Sequence, residues 1–293
     1  MAFAKTDDGV NLYYEESGSG QPIIFVHEFA ADYRSWELQM RFFSRYFRCI
    51  TFSARGYLPS DIPTDPAMYS QERAMKDVLA VLDHLQIEKA HIVGLSMGGF
   101  ASLHIGIHNP HRALSLVIAG CGYGAQPEKK TGFHAEVEAA AKLFEDLGSV
   151  EGGKKYTIGP TRVQFQNKDP RGFNEFVNSM SEHPVAGSAN TLRGVQKMRP
   201  SLWELIDGMK TIQVPTLIIT GDEDDPCLEP ALLMKRNIPS AGLVVFPNAG
   251  HTNNIEDPDL FNSTLSEFYL KVLAGRWSLR DPRSQATGIL GFK

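Results

Sequence analysis

Residues 93–99 have the sequence Val-Gly-Leu-Ser-Met-Gly-Gly, which contains the pattern Gly-x-Ser-x-Gly. An apolar run precedes this stretch at 90–93, and small residues with a helical pattern follow it at 100–106. A sharp turn from strand to helix needs tiny residues two positions before and after the serine, because larger side chains would strike the adjoining elements. The stretch therefore predicts that the Ser96 hydroxyl projects from the carboxyl edge of a sheet, beside a helix N-terminus.

The overall composition is that of an ordinary globular protein and excludes several classes of partner. The chain has 293 residues, of which 42% are apolar and 22% charged, with a formal net charge of −5. No basic cluster is present, so neither nucleic acid nor an anionic membrane is expected as a partner. The N-terminal residues lack the apolar core of a signal peptide, and no apolar run approaches the ~20 residues that span a bilayer. A cytoplasmic location is expected.

The number and spacing of the cysteines agree with the expected cytoplasmic location. There are three, and they are widely spaced along the chain: Cys49, Cys121 and Cys227. An odd number with this spacing predicts neither a disulfide framework nor a metal-binding pair, and it favours a reducing compartment. No spacing of histidine and acidic residues resembles a metal site, so no metal is expected.

Apolar runs typical of buried strands alternate with helical patterns along much of the chain. After a predicted hairpin at 2–16, strands are predicted at 23–26, 48–52, 90–93, 114–119, 214–220 and 243–246. Helices are predicted at about 33–46, 70–85, 100–106 and 257–274. Such alternation predicts the α/β class, with a parallel sheet and helices on both of its faces.

Two segments depart from this alternation. Residues 123–210 are mostly polar with a helical pattern, and they interrupt the sequence of strands, which predicts an insertion rather than a separate domain. Residues 276–293 are rich in Gly, Pro, Arg and Ser and have little periodicity, so a loosely attached tail is expected there.

A serine nucleophile needs a neighbouring base, and the base needs an acid that orients it. His251 is the candidate base, because it follows the last predicted strand and the small pair at 249–250 and precedes the last helix. The acid is expected between the serine and the histidine along the chain. Residues 222–225 are four consecutive acids directly after a predicted buried strand, and one of them can serve. The order serine, acid, histidine predicts that these side chains meet at one edge of the sheet.

On these motifs the chain resembles the α/β-hydrolase superfamily over almost its full length. The resemblance rests on the serine turn at 94–99, an arginine-glycine loop at 54–61 and a histidine loop at 248–258. It implies an α/β-hydrolase fold, in which a mostly parallel eight-stranded sheet is flanked by helices. The core of this fold would comprise residues 1–122 and 211–293.

The resemblance also assigns the insertion and the acid. It implies that residues 123–210 form a helical cap over the active site. The superfamily places the acid three residues after the glycine that ends the strand, which selects Asp224 after Gly221 and leaves Asp225 as the competitor. Dehalogenases and epoxide hydrolases of the superfamily have aspartate where this chain has Ser96, which argues against those two activities.

One loop departs from the pattern of the superfamily. The oxyanion loop there usually has the sequence His-Gly-x, whereas this chain has His27-Glu28-Phe29. The resemblance assigns the two N–H donors of the oxyanion hole to Phe29 and Met97. Two interpretations of Glu28 stay open: it faces a polar network or solvent, or it is buried with a raised pKa and takes part in acid–base chemistry or substrate selection.

The predicted activity is hydrolysis of a small or medium carboxylic ester, thioester or lactone through a Ser-His-Asp triad and an acyl-enzyme. The alternatives are a hydrolase of carbon–carbon bonds in ring-cleavage products, a cofactor-free perhydrolase, and a non-catalytic ligand receptor on the same fold. The predicted chemistry requires no cofactor, and the expected partner is a small-molecule acyl substrate. A homodimer is an open alternative to a monomer.

Overall fold

A mostly parallel sheet of eight strands forms the centre of the computed structural model, which describes residues 2–285. The strands are Ala2–Lys5 (β1), Asn11–Ser17 (β2), Pro22–Val26 (β3), Arg48–Phe52 (β4), Ala90–Leu95 (β5), Ala113–Ala119 (β6), Thr216–Gly221 (β7) and Ala241–Phe246 (β8). Their spatial order is β1-β2-β4-β3-β5-β6-β7-β8. The pairs β1–β2 and β2–β4 are antiparallel, and the other neighbours are parallel. The predicted fold class is confirmed.

Helices cover both faces of this sheet. They are Glu37–Phe43 (α1), Gln71–His84 (α2), Met97–His108 (α3), Lys130–Thr157 (α4), Val163–Lys168 (α5), Pro170–Met180 (α6), Val185–Asn190 (α7), Ile206–Lys210 (α8), Asp225–Asn237 (α9), Asn253–Glu256 (α10) and Pro258–Leu273 (α11). In β3, Ile24 and Val26 pack in an apolar cluster with α2, α3 and α9, whereas Ile23 and Phe25 pack with α1 and α11. Burial on both faces explains the continuous apolar runs of the strands. None of the helices described here is long and apolar enough to cross a membrane.

Residues 123–210, here called the helical insertion, lie between β6 and β7. They contain α4–α8 and the π-helical turn Thr191–Gln196, and no strand is assigned to them. The helix α4 bends at Gly148, where φ is 76°. Apolar side chains of α4–α6 form a cluster that also contains Phe29 and Met97 of the sheet's carboxyl edge. The segment is therefore packed against the edge at which the site is expected, while its exact boundary as a cap stays a prediction.

Residues 33–46 form two short helices instead of the single predicted one. Tyr33–Trp36 is a 3₁₀ turn capped by Asp32, whose carboxylate accepts a hydrogen bond from the Arg34 amide at 2.9 Å. The α-helix proper is confined to α1, which ends at Phe43. The apolar spacing correctly indicates a helical segment there, but it carries no information about the short-range capping that sets its first turn.

Two residues of the predicted tail contact the rest of the chain. The Trp277 indole N–H donates to the Ser240 carbonyl at 2.8 Å, and the Trp277 ring lies 4.6 Å from that of Phe268, centroid to centroid. The Arg280 amide donates to the Pro239 carbonyl at 2.9 Å. These contacts of Trp277 and Arg280 could not be read from the lack of periodicity, and the loose attachment of the tail as a whole stays a prediction. The remainder of the predicted tail, residues 286–293, lies outside the described residues.

Candidate active site

Ser96 lies on a sharp turn between β5 and α3. Its φ of 53° and ψ of −110° are strained for a residue with a side chain. A Cβ at Gly94 would lie 2.0 Å from the Gly98 carbonyl oxygen, and a Cβ at Gly98 would lie 2.1 Å from that of Val26. Only glycine fits at both positions. The Ser96 amide donates to the Ala119 carbonyl at 2.8 Å, which anchors the turn to β6.

His251 and Asp224 meet at the same edge of the sheet. Nδ1 of His251 lies 2.7 Å from Oδ2 of Asp224, and both residues are buried. A Cβ at Gly221 would lie 2.1 Å from the Ala249 carbonyl oxygen, so glycine at this position lets the acid loop and the histidine loop touch. Asp225 is exposed at the start of α9. The structure therefore pairs Asp224, and not its neighbour, with the imidazole.

The environment fixes the protonation of this pair. Burial alone would lower the pKa of His251, but the charge and hydrogen bond of Asp224 outweigh it, and the pKa is raised above its usual value. Burial alone would raise the pKa of Asp224, yet its partners, His251 foremost, hold that pKa below its usual value. Asp224 is thus an anion at neutral pH and accepts the Nδ1 proton. The lone pair of neutral His251 is then on Nε2, as a general base requires.

Cys227 is a third member of this cluster, and its spacing of three residues from Asp224 is the only signal of this in the sequence. The sulfur of Cys227 and the ligand-type atoms of Asp224 and His251 lie within 4.8 Å of one another. Burial raises the pKa of the Cys227 thiol well above its usual value. A neutral thiol is a weak hydrogen-bond donor and not the thiolate that metals bind. As a neutral donor beside Asp224, the thiol helps to hold the pKa of that carboxyl below its usual value.

Two backbone amides, that of Met97 directly after Ser96 and that of Phe29 in a loop lining the cavity, have no hydrogen-bond partner among the described residues. Met97 is the first residue of α3, and N–H groups in the first turn of a helix have no partner within it. Phe29 lies in the loop after β3 and lines the same cavity as Ser96. Within residues 2–285, neither amide donates a hydrogen bond to another protein group. Free donors beside a nucleophile are what an oxyanion hole needs.

Ser96 and His251 line one cavity and are linked through the end of β6. Ala119 accepts the hydrogen bond from the Ser96 amide, and a Cβ on the next residue, Gly120, would lie 3.4 Å from Cε1 of the His251 ring. Among the hydrogen bonds of the described residues, none joins the Ser96 hydroxyl to His251 directly. In many enzymes the contact between nucleophile and base tightens only when substrate binds.

Glu28 points into the site. It is 2% exposed, and its Oε2 lies 2.5 Å from Nη2 of Arg162 and 4.0 Å from Nε2 of His251. Its Oε1 has no hydrogen-bond partner in the described part of the chain. Glu28 is thus buried and belongs to a polar network, so it combines an element of each interpretation. Sequence reasoning missed Arg162, because the two residues are 134 positions apart.

The segment around Arg162 also holds the histidine loop. The His251 amide donates to the Thr161 carbonyl at 2.9 Å. The ammonium of Lys168, on α5, lies 3.0 Å from the Glu256 carboxylate, which also accepts the Gly250 N–H at 3.0 Å. The helical insertion therefore contacts the His251 amide directly and the Gly250 amide through Glu256, so its position is coupled to that of the histidine loop.

The cavity at this edge has a volume of about 240 Å³. The core contributes Glu28, Phe29, Ser96, Asp224 and His251 to its lining. The helical insertion contributes aromatic and apolar residues together with several polar ones: Tyr123, Phe133, Glu136, Val137, Ala140, Tyr156, Gly159, Pro160, Thr161, Arg162, Leu192, Gln196 and Arg199. An apolar chamber with a few polar groups next to the serine suits a small organic ligand.

The fold and the arrangement of Ser96, Asp224 and His251 are those expected of an α/β hydrolase, and comparison with known proteins supports this fold class. Residues 21–258 match the model of the alpha/beta hydrolase fold family, so the chain belongs to that family.

Two related proteins and one solved structure are similar to the chain over most of its length. The chain is 30% identical over 276 residues to the AB hydrolase superfamily protein YisY of Bacillus subtilis, covering 91% of this chain and 98% of that protein. It is 28% identical over 252 residues to 3-oxoadipate enol-lactonase 1 of Acinetobacter baylyi, covering 85% of this chain and 89% of that protein. Among solved structures, the esterase EaEST from Exiguobacterium antarcticum superposes with a TM-score of 0.79 at 26% identity, covering 92% of this chain and 99% of that chain.

Proposed function

We propose that the protein is a serine hydrolase that cleaves small or medium carboxylic esters, thioesters or lactones. The observation that carries this proposal is the hydrogen bond between buried His251 and Asp224, at the cavity that Ser96 lines. Similarity to a protein named as an enol-lactonase and to one named as an esterase supports the same class of substrate. In this proposal the helical insertion is the cap that closes the cavity.

Acylation would begin with proton transfer from Ser96 Oγ to Nε2 of His251. The oxygen of Ser96 then bonds to the carbonyl carbon of the ester, and the electron pair of the broken π bond moves to the carbonyl oxygen. The N–H groups of Phe29 and Met97 would stabilise this oxyanion. Asp224 stabilises the imidazolium, which returns its proton to the departing alcohol as the acyl-enzyme forms.

Deacylation would repeat these steps with water. His251 accepts a proton from the water, whose oxygen bonds to the acyl carbon, and the Ser96–acyl bond then breaks. The imidazolium gives its proton back to Ser96 Oγ, and the carboxylic acid product is released. All atoms and charges are returned to their starting state, so the cycle needs no cofactor.

A panel of chromogenic esters and lactones with acyl groups of increasing size tests the proposal. Because the cavity is small, we expect turnover of short acyl groups and a steep decline for long ones. Lack of turnover across the whole panel would contradict the hydrolase and favour a ligand receptor.

Carbon–carbon bond hydrolysis is a second candidate, and one observation favours it. The helical insertion places several polar side chains on the cavity lining, among them Arg162, Gln196 and Arg199. A conjugated diketone from ring cleavage carries several oxygens that such groups can bind. Similarity to a protein named as a 2-hydroxy-6-oxononadienedioate hydrolase, 27% identical over 276 residues, is in keeping with this candidate. Turnover of a ring-cleavage product at a rate far above that of every ester would establish it.

We further propose that Glu28 tunes the basicity of His251. Its carboxylate lies 4.0 Å from Nε2 and stabilises the protonated ring, so it contributes to the raised pKa of His251. Glu28→Gln should lower that pKa, and the neutral imidazole would then persist to lower pH. We expect the acid limb of the kcat/KM profile to move to lower pH by roughly one pH unit.

Glu145→Gln is a matched control for this measurement. Glu145 is an exposed carboxylate of the helical insertion that pairs with Arg193, outside the cavity lining. Its pH profile should coincide with that of the unmodified protein. An acid limb that stays in place in Glu28→Gln, or moves to higher pH, would show that Glu28 does not act on His251.

A further inference from the structure

Three arginines are buried in the described part of the chain, and they differ in their partners. Arg55 pairs with Asp77 at 2.7 Å and with Asp8 at 2.8 Å, and Arg162 pairs with Glu28 at 2.5 Å. Arg199, 7% exposed, has no carboxylate within ion-pair distance among residues 2–285. A buried charge without a counter-charge is costly, so Arg199 requires an explanation.

The surroundings of Arg199 are neutral. Its guanidinium donates to the side-chain oxygen of Gln196 and to the Tyr123 carbonyl. Its central carbon lies 3.9 Å from the centroid of the Phe100 ring and 5.2 Å from that of Phe133. Burial lowers the pKa of Arg199 to about 10, so the group is still a cation at neutral pH. These contacts orient the guanidinium but do not neutralise it.

The position of Arg199 places this charge in the same cavity as the nucleophile. Arg199 lines the same cavity as Ser96 and His251. The Phe100 amide donates to the Ser96 carbonyl at 3.0 Å, so the ring under the guanidinium lies one helical turn after the serine. The positive charge therefore lies against the side chain of a residue one helical turn after Ser96, on the wall of the cavity that Ser96 also lines.

The other charged side chains on the cavity lining do not compensate the charge of Arg199. The charge of Arg162 is matched by Glu28, and Asp224 is committed to His251. Glu136 also lines the cavity, but it is exposed, where solvent screens its charge, and its carboxylate accepts a hydrogen bond from the Tyr123 hydroxyl. The positive charge of Arg199 is therefore not neutralised by another group on the cavity lining, and one negative charge on a ligand would balance it.

We infer that Arg199 binds a carboxylate of the substrate, so that the preferred substrates are acyl compounds with a second, anionic end, such as half-esters of short dicarboxylic acids or lactones bearing a carboxylate. This inference rests on the proposed function for the reaction, but the binding of the anion can be measured without turnover. A planar guanidinium fits a carboxylate with two parallel hydrogen bonds, and a low-dielectric wall strengthens them.

Two chromogenic substrates of equal acyl length test the inference. One is the 4-nitrophenyl half-ester of glutaric acid, which carries a terminal carboxylate, and the other is neutral 4-nitrophenyl pentanoate. The unmodified protein should favour the charged ester in kcat/KM by about 10- to 100-fold, the range expected for a buried hydrogen bond to a charged group. Arg199→Met should remove this preference, because the kcat/KM of the charged ester should fall far more than that of the neutral ester.

Arg193→Met is the matched control, because Arg193 is an arginine of the same insertion that pairs with Glu138 and Glu145 outside the cavity lining. It should keep the preference for the charged ester. Equal losses on both esters in Arg199→Met, or a preference of the unmodified protein for the neutral ester, would overturn the inference and make Arg199 a structural residue.

A binding measurement separates this inference from the proposed reaction. Ser96→Ala protein should bind glutarate in a calorimetric titration, and adding Arg199→Met should weaken that binding by at least about tenfold. Arg199-dependent binding without turnover of any ester would refute the hydrolase and sustain the anion site. Ester turnover without Arg199-dependent binding would do the reverse. If Arg199→Met does not fold, Arg199→Lys takes its place, with partial loss of the preference expected because lysine lacks the planar fork.

Discussion

Alanine in place of Ser96 should lower kcat for ester hydrolysis by about 10⁵-fold or more, the scale at which loss of a serine nucleophile acts in triad enzymes. Without Oγ, no atom is present that can form the covalent bond to the acyl group, so the acyl-enzyme cannot form. The oxyanion donors and the cavity remain, so weak residual catalysis and nearly unchanged substrate binding are expected. The measurement is kcat and KM on the best ester of the panel.

Ser102→Ala is a suitable control for this variant. Ser102 lies on the same helix and is also buried, and its hydroxyl donates to the Gly98 carbonyl at 3.0 Å. Loss of that local bond should leave kcat within a few-fold, because serines that bond back to the helix contribute little to its stability. Substantial hydrolysis by Ser96→Ala would place the nucleophile elsewhere and remove the basis of the mechanism.

The second large effect is expected at the acid. Asp224→Asn keeps the size of the side chain but removes the charge that holds the Nδ1 proton and stabilises the imidazolium. His251 can then carry its proton on Nε2, where it cannot accept one from Ser96. We expect kcat to fall by about 10⁴-fold, as when the aspartate of a triad becomes an amide.

Asp225→Asn is a closely matched comparison, since it makes the same chemical change one residue further along on an exposed side chain. It should keep kcat within about threefold, as surface substitutions usually do. An equal fall in both variants would point to damage to the start of α9. A larger fall in Asp225→Asn would contradict the pairing of Asp224 with His251.

Most of the fold could be predicted because its signals are local. Continuous apolar runs arise wherever a strand is covered on both faces, as Ile23 and Ile24 are by two different helix layers. The serine turn has an even stricter cause, since a Cβ at Gly94 or Gly98 would overlap backbone oxygens. The firm docking of Trp277 could not be predicted, because a single aromatic anchor has no periodicity.

Only part of the site could be predicted, because only some of its residues lie in local sequence patterns. Ser96 and His251 stand out because each follows a strand in a small-residue turn. The environment of Glu28 does not, since its partner Arg162 comes from a distant segment whose placement depends on how the helical insertion packs. The burial of Arg199 could not be predicted either. An arginine in a polar segment is expected to be exposed, and only the structure shows that this one packs against Phe100.

The most direct test of the central claim, that Ser96 is a nucleophile activated by His251 and Asp224, is covalent labelling with a fluorophosphonate followed by mass spectrometry of the intact and digested protein. We expect a single adduct on the peptide containing Ser96, which should be absent in Ser96→Ala and form far more slowly in Asp224→Asn, whereas Asp225→Asn should be labelled at the normal rate. An unlabelled native protein, or an adduct on any other residue, would contradict it.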